Sequence, residues 1–160
     1  MKLYLVRHTT AADSASNDAQ RPLTELGKNE ARMVGAALAG MNARPTKVFS
    51  SPLLRARQTA DIIAGQLKMA GKSETIAELS NGPSTEKLLA ALAKQGREIV
   101  AVGHMPSLAE HVAVMTRATD SALFAFGNGS VACVELDPAG NRFVWLKHLP
   151  QLKELTEAAS

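Results

Sequence analysis

The chain has 160 residues, of which 46% are hydrophobic and 21% charged, a composition typical of one globular domain rather than of a disordered protein. The formal net charge of +3 comes from scattered basic residues, and the lack of a basic stripe argues against a nucleic-acid partner. Cys133 is the only cysteine, so neither an intrachain disulfide nor a cysteine metal cluster can form.

The first predicted element is a short buried strand over residues 2–7, KLYLVR. Its apolar stretch is too short for a signal peptide, and no segment of the chain approaches membrane-spanning length. We therefore expect a cytoplasmic protein with no membrane partner, and a monomer by default. Residues 12–20 are rich in Ala, Ser, Asp and Asn and are typical of a surface loop.

Further short apolar runs predict strands at 47–50, 75–77 and 98–102, and helical patterns lie between them. Thr24 is the expected N-cap of a helix over 24–40. The sequence Ser51-Pro52 predicts the start of a second helix, with Ser51 as N-cap.

A third helix is expected near Ser84, and a fourth after Pro106, where Ser107 and Glu110 have the spacing of a capping box. Residues 130–136 and 142–147 flank a turn sequence and predict a hairpin.

Alternating strands and helices predict an α/β fold in one domain over residues 1–160. We expect a mainly parallel, doubly wound sheet with helices on both faces and a C-terminal antiparallel hairpin at one edge. The last ten residues are expected to form a frayed helix.

Polar side chains follow each of the four predicted parallel strands. In a doubly wound sheet, ligands bind beyond the carboxyl ends of the strands, so these side chains are expected to converge. They are Arg7 and His8 after the first strand, Arg55 shortly after the second, Glu78 after the third, and His104 after the fourth.

This combination of residue types indicates phosphoryl transfer. Arginine presents a fork of donors that matches phosphate oxygens and stays charged. A neutral imidazole can attack phosphorus directly, and a carboxylic acid can protonate the leaving group. Since the arginines supply positive charge, we expect neither a metal nor a cofactor.

Four segments resemble the histidine phosphatase (phosphoglycerate mutase-like) superfamily, and they occur in that family's order. The short chain without long insertions is most similar to the SixA-type phosphohistidine phosphatase branch. The segments are Leu5-Val6-Arg7-His8, the run from Arg21 to Gly27, the run from Ser51 to Ala60, and Val102-Gly103-His104 followed by Pro106.

The resemblance implies a role for each candidate residue. His8 would be the phosphorylated nucleophile and Glu78 the proton donor. Arg7, Arg55 and His104 would form the phosphate pocket, with Arg21 at its rim. Thr9 stands where the family commonly has glycine, so its side chain is expected to narrow the pocket or to offer a hydroxyl group to the substrate.

We therefore expect a metal-independent phosphatase that works through phospho-His8, acting on phosphohistidine of a signalling protein. One alternative is a small-metabolite phosphatase or a phosphoglycerate mutase-like enzyme, although the chain offers no long segment to exclude water from a mutase site. Another alternative is a module that binds a phosphorylated ligand without catalysis, which the presence of both His8 and His104 disfavours.

Overall fold

The computed structural model describes residues 1–158, which contain six strands and five α-helices. Strands and helices alternate along the chain up to a C-terminal hairpin and helix, which are included in that count. The strands are β1 (Lys2–Arg7), β2 (Lys47–Ser50), β3 (Glu74–Thr75), β4 (Glu98–Gly103), β5 (Val131–Glu135) and β6 (Arg142–Lys147). The helices are α1 (Glu25–Gly40), α2 (Leu54–Gln66), α3 (Thr85–Leu92), α4 (Ser107–Thr116) and α5 (Leu149–Ala158).

The six strands form one sheet in the order β3-β2-β4-β1-β5-β6. The first four strands of that order are mutually parallel, and β5 and β6 are antiparallel additions beside β1. The predicted α/β class, the mainly parallel sheet and the C-terminal edge hairpin are thus confirmed. Because β1 and β4 are direct neighbours, with Arg7 opposite Gly103, the residues that follow these two strands start side by side.

Helices cover both faces of the sheet because the buried strands are apolar on both sides. Along β1, Leu3 and Leu5 pack with α3 and α4 on one face. Tyr4 and Val6 pack with α1, α2 and α5 on the other. The result is a layer of helices on each face, with the polar strand ends left free at the edge.

The helix starts at Thr24, near Ser84 and after Pro106 are confirmed. The predicted N-cap at Ser51 and the predicted capping box at Ser107 are wrong. The hydroxyl groups of Thr24 and Ser84 cap α1 and α3 by accepting backbone N–H bonds. Ser51 does not cap α2, which begins at Leu54, because its hydroxyl contacts His104 instead. The capping box at Ser107 does not form, since Ser107 lies inside α4 and accepts from the N–H of Gly82.

The C-terminal helix is better packed than the sequence suggests. Residues 149–158 form α5, and Leu152 is fully buried against the layer of α1 and α2. The expected C-terminal helix is confirmed up to residue 158, and the last two residues of the predicted segment lie outside the described residues. None of the helices within residues 1–158 combines the length and apolar character needed to cross a membrane.

The first turn of α1 is pressed against the segment that follows β1. Thr24 donates its N–H to the carbonyl oxygen of Thr10 at 3.1 Å. A Cβ atom on Gly27 would lie 1.9 Å from that same oxygen, so only glycine permits this approach. The start of α1 thereby fixes the chain immediately after His8.

Candidate active site

The two histidines predicted to act together are adjacent at the carboxyl edge of the sheet. His8 follows β1 and His104 follows β4, and their ring centroids are 5.1 Å apart. The backbone N–H of His8 donates to the carbonyl oxygen of Gly103 at 3.1 Å, which extends the strand pairing by one residue. The parallel register therefore sets the distance between the rings.

The ring of His8 is held in one tautomer. Its Nδ1 lies 2.8 Å from the carbonyl oxygen of Thr9, and because a carbonyl can only accept, Nδ1 carries the hydrogen and Nε2 the free lone pair. Burial lowers the pKa of His8 to about 4, and the charges of Arg55 and Arg7 act in the same direction. At neutral pH, His8 is thus an uncharged imidazole with Nε2 ready for nucleophilic attack.

His104 is also neutral, and its partner was not foreseen from the sequence as a site residue. Its Nε2 lies 2.5 Å from the hydroxyl oxygen of Ser51, which is fully buried. Burial lowers the pKa of His104 to about 3, with His8 as the next contributor. The Ser51 hydroxyl can donate or accept; in the tautomer in which it donates to Nε2, Nδ1 of His104 carries a hydrogen that can be donated to a phosphate oxygen.

The two predicted phosphate-binding arginines are each held by hydrogen bonds, but each also has a nitrogen without a hydrogen-bond acceptor in the described residues. Arg7 donates from Nη1 to the carbonyl oxygen of Phe126 at 2.7 Å. Arg55 is only 6% exposed and donates from both terminal nitrogens to Asp18. The Nε atom of each arginine is buried and has no hydrogen-bond partner within residues 1–158. An unpaired buried guanidinium nitrogen is costly, and an anion is the natural acceptor for it.

Asp18 is a site residue that the sequence analysis missed. It lies in a short 3-10 helix, Asp18–Gln20, within the exposed loop 12–20. Its carboxylate accepts from Arg21 Nε at 2.9 Å and from Arg55 Nη2 at 3.1 Å. Arg21, the predicted rim residue, is thereby joined to Arg55 through one carboxylate.

Thr9 lies beneath His8 rather than in an accessible wall. It is fully buried, and its N–H and hydroxyl group both meet Thr59 Oγ1 at 3.2 Å. Thr59 donates in turn to the carbonyl oxygen of Arg55. We therefore expect Thr9 to support the position of His8, instead of offering its hydroxyl to the substrate.

Glu78, the predicted proton donor, sits in the turn Ala77–Leu79 beyond β3 and is partly exposed. The strand itself is shorter than predicted, covering residues 74–75. The turn passes close to the end of β4, because Leu79 O lies 3.0 Å from where a Cβ on Gly103 would stand. Within the described chain no hydrogen bond or ion pair holds the Glu78 carboxylate.

The backbone around Arg7 is fixed by the loop before β5. Arg7 donates its N–H to Ser130 O at 3.1 Å and accepts from Gly129 N at 3.0 Å. Together with the Phe126 carbonyl, these bonds hold both the main chain and the guanidinium group of Arg7. The loop 126–130 carries no charged side chain, so pattern reasoning had no signal by which to find it.

A cavity away from the two histidines lacks this chemistry. It has a volume of about 430 Å³ and lies between the C-terminal ends of α1 and α2, beside Arg44 and Lys68. Helix C-termini carry partial negative charge, which disfavours an anion. Within residues 1–158, no group of three or more His, Cys, Asp or Glu side chains is arranged to hold a metal ion.

Comparison with known proteins agrees with this geometry. Residues 3–98 match the histidine phosphatase superfamily (branch 1). The chain is 30% identical over 150 residues to phosphohistidine phosphatase SixA of Escherichia coli strain K12, covering 91% of this chain and 92% of that protein.

Solved structures show the same likeness. The protein histidine phosphatase SixA, complexed with tungstate, superposes with a TM-score of 0.86 at 27% identity, covering 96% of this chain and all of that one. A phosphoserine phosphatase mutant from Entamoeba histolytica superposes with a TM-score of 0.74 and covers 94% and 98% of the two chains. At 18% identity, this second likeness concerns the fold alone.

Proposed function

The chain belongs to the histidine phosphatase superfamily (branch 1), and we propose that it is a phosphohistidine phosphatase that carries the phosphoryl group on Nε2 of His8. The family and its SixA-like relatives make it a hydrolase of phosphate monoesters. The observation that carries the proposal is the neutral His8 ring, with Nε2 free, beside two arginines whose buried Nε atoms have no acceptor in the described residues.

Binding is the first step that these residues support. The Nε hydrogens of Arg7 and Arg55 are donated to phosphoryl oxygens, and His104 donates its Nδ1 hydrogen. Removing these donors from water in advance makes their charge more effective in the transition state. The anchors on Phe126 and Asp18 keep the guanidinium groups from rotating away.

Transfer follows by in-line attack. Nε2 of His8 forms a bond to phosphorus while the bond from phosphorus to the leaving imidazole nitrogen breaks, and that nitrogen takes up a proton. Water then attacks the phosphorus of phospho-His8, which releases inorganic phosphate and returns the ring to its neutral form. The hydrogen bond from Nδ1 to the Thr9 carbonyl stabilises the ring through both steps.

Glu78 is proposed as the proton donor to the leaving group and as the base for water in the second step. Its support is positional, because its turn lies against the end of β4, next to His104. The carboxylate has no ion pair in the described residues and is partly exposed, so it is available to a substrate that enters from solvent. Arg21 is proposed to contact the substrate at the rim.

The substrate proposed here is a phosphohistidine on a signalling protein. The similarity to SixA, which is a protein histidine phosphatase, extends over 96% of this chain and supports that choice. An exposed loop borders Arg55, so a phosphorylated side chain on another protein's surface could reach the two histidines.

Intact-mass measurement at neutral pH, after brief mixing with phosphoimidazole, tests the intermediate. We expect an acid-labile gain of one phosphoryl group in the wild type and none in His8→Ala. The variant His148→Gln serves as the control and should retain the adduct, because His148 is exposed and glutamine can still form the hydrogen bond to Ser130. Absence of both adduct and phosphate release in the wild type contradicts the proposal.

Activity on a protein substrate needs a separate measurement. Release of phosphate from a phosphorylated histidine-containing signalling domain should exceed release from phosphoserine or phosphoglycerate at equal concentration. A preference for the small esters would instead assign the site to metabolite chemistry.

A further inference from the structure

Asp18 joins the buried and the exposed parts of the site. Its carboxylate contacts Arg21 Nε through Oδ1 and Arg55 Nη2 through Oδ2, and its carbonyl oxygen accepts from Arg55 Nη1 at 2.9 Å. The Arg55 side chain is 8% exposed, whereas that of Asp18 is 66% exposed. A negative charge therefore faces solvent directly above the arginine that is proposed to bind phosphate.

The charges at the site match one phosphoryl group. Both histidines are neutral at pH 7, and the three guanidinium groups of Arg7, Arg21 and Arg55 meet the single carboxylate of Asp18. Three positive charges less one negative charge leave two on these four side chains, which equals the charge of a phosphoryl dianion. Glu78 adds no charge in the protonated form in which it is proposed to act on the leaving group. A substrate with a second anionic group near its phosphorus finds no further cation here and approaches an exposed carboxylate.

The charge of Asp18 acts on His104 as well as on the arginines. Hydrogen bonds from Arg21 and then Arg55 lower the pKa of Asp18 below its ordinary value, so it is ionised at neutral pH. Its charge also raises the pKa of His104, against the larger effect of burial. An electrostatic influence that reaches His104 reaches a bound phosphoryl group too.

We propose that Asp18 is a specificity-determining residue, whose exposed carboxylate admits phosphoryl groups on neutral or cationic leaving groups and repels substrates with a second anion. Imidazole is a leaving group of the admitted class, whereas a phosphorylated carboxylic acid belongs to the repelled class. The inference rests on the proposed function, since it assumes that the phosphoryl group binds between Arg7, Arg55 and the histidines.

Two substrates that differ by one carboxylate provide the test. The ratio of kcat/KM for phenyl phosphate to that for 3-carboxyphenyl phosphate is measured in the wild type, in Asp18→Asn and in Asp13→Asn. Asparagine keeps an oxygen that can accept from an arginine, so the loop retains a partner. Asp13→Asn removes the same charge from the same exposed loop, at a residue without an ion pair in the described chain.

We expect the wild type to prefer phenyl phosphate, and Asp18→Asn to shift the ratio about tenfold towards the carboxylate substrate, as removal of one nearby charge implies. Asp13→Asn should leave the ratio within about twofold of the wild type, because solvent and salt screen a distant exposed charge. The shift should shrink as ionic strength rises.

An equal fall of kcat/KM for both substrates in Asp18→Asn would overturn the inference, since it would show that Asp18 only positions Arg55. An unchanged ratio would overturn it as well. In both cases wild-type turnover of phosphoimidazole leaves the proposed function standing. Failure of the wild type to hydrolyse phosphoimidazole overturns the proposed function and the inference together.

Discussion

The floor of the site (Arg7, His8, Arg55 and His104) and its rim (Asp18 and Arg21) are built by different means. At the floor, the two histidines follow paired strands, and main-chain hydrogen bonds set their separation. At the rim, a main-chain hydrogen bond from Ala12 to Pro22 closes the base of an exposed loop, and the ion pair of Asp18 with Arg55 holds the exposed part of the loop over the floor. Backbone pairing is rigid and insensitive to salt, whereas exposed ion pairs are weak and screened.

Under the proposed function, the two regions have different tasks. Groups that form and break bonds need fixed positions, and the floor residues hold such positions at the edge of the sheet. Groups that discriminate between substrates can act through charge at the surface, and the rim is proposed to supply that charge. Arg55 belongs to the floor but donates to the rim, so it is the residue through which the two regions are coupled.

Breaking that coupling at Arg55 should have a larger effect than acidification or the loss of the Ser51 hydroxyl. Lysine at position 55 keeps the charge but loses the fork, so it cannot bind Asp18 and phosphate at once. We expect Arg55→Lys to lower kcat/KM for phosphoimidazole by about 10²–10³-fold, as for other losses of transition-state donors. Arg57→Lys, at an exposed position on the same helix, should stay within about twofold. Comparable losses in both variants would contradict a specific role for Arg55.

Acidification should affect the floor through its buried imidazoles. The folded-state pKa of His8, about 4, lies below the unfolded value of about 6.5. Its contribution to stability is therefore present above pH 6.5 and is lost as the pH falls towards 4, since the unfolded state binds the proton first. The loss amounts to about 3 kcal/mol, or roughly a hundredfold in the folding equilibrium.

Urea unfolding at pH 7 and pH 4 measures this effect. The free energy of unfolding should fall by about 3 kcal/mol more in the wild type than in His8→Gln, which has no imidazole to protonate. An equal fall in both proteins would show that His8 does not carry the acid sensitivity. The kcat/KM profile, corrected for ionisation of the substrate, should likewise retain activity below pH 6.

The smallest effect on turnover is expected from loss of the Ser51 hydroxyl, which contacts the His104 ring. Ser51→Ala removes the hydrogen-bond partner of His104 Nε2 and should lower kcat by about tenfold, because the His104 ring loses the contact that orients it. Ser50→Ala is a matched control, since Ser50 is also fully buried but its hydroxyl has no partner in the described structure. That variant should keep kcat within about twofold. If Ser50→Ala were equally impaired, the effect would reflect packing alone.

The floor could be predicted because strand position is encoded locally. Short apolar runs mark the strands, and the residues after parallel strands must meet at one edge. The proximity of His8 and His104 could therefore be predicted from the sequence. Their neutral state could not, because the burial that lowers both pKa values depends on how loops and helices close over the edge.

The rim could not be predicted, because loop 12–20 has no periodicity that fixes its direction. Nothing in the sequence connects Asp18 with Arg55, which lies 37 residues further along the chain. The error at Ser51 has a related cause. A serine followed by proline is a strong local signal for a helix start, but a contact with His104 across 53 residues outweighed it.

The close contact of Gly27 with the carbonyl oxygen of Thr10 has a consequence for how this protein tolerates substitution. Gly27 has no functional group, yet any side chain there would displace either α1 or the chain next to His8. A random-mutagenesis screen scored by turnover should therefore recover position 27 among its null alleles, beside the histidines. In this enzyme, the positions that tolerate no substitution therefore include residues without a functional group in addition to the residues proposed to react with or bind the phosphoryl group.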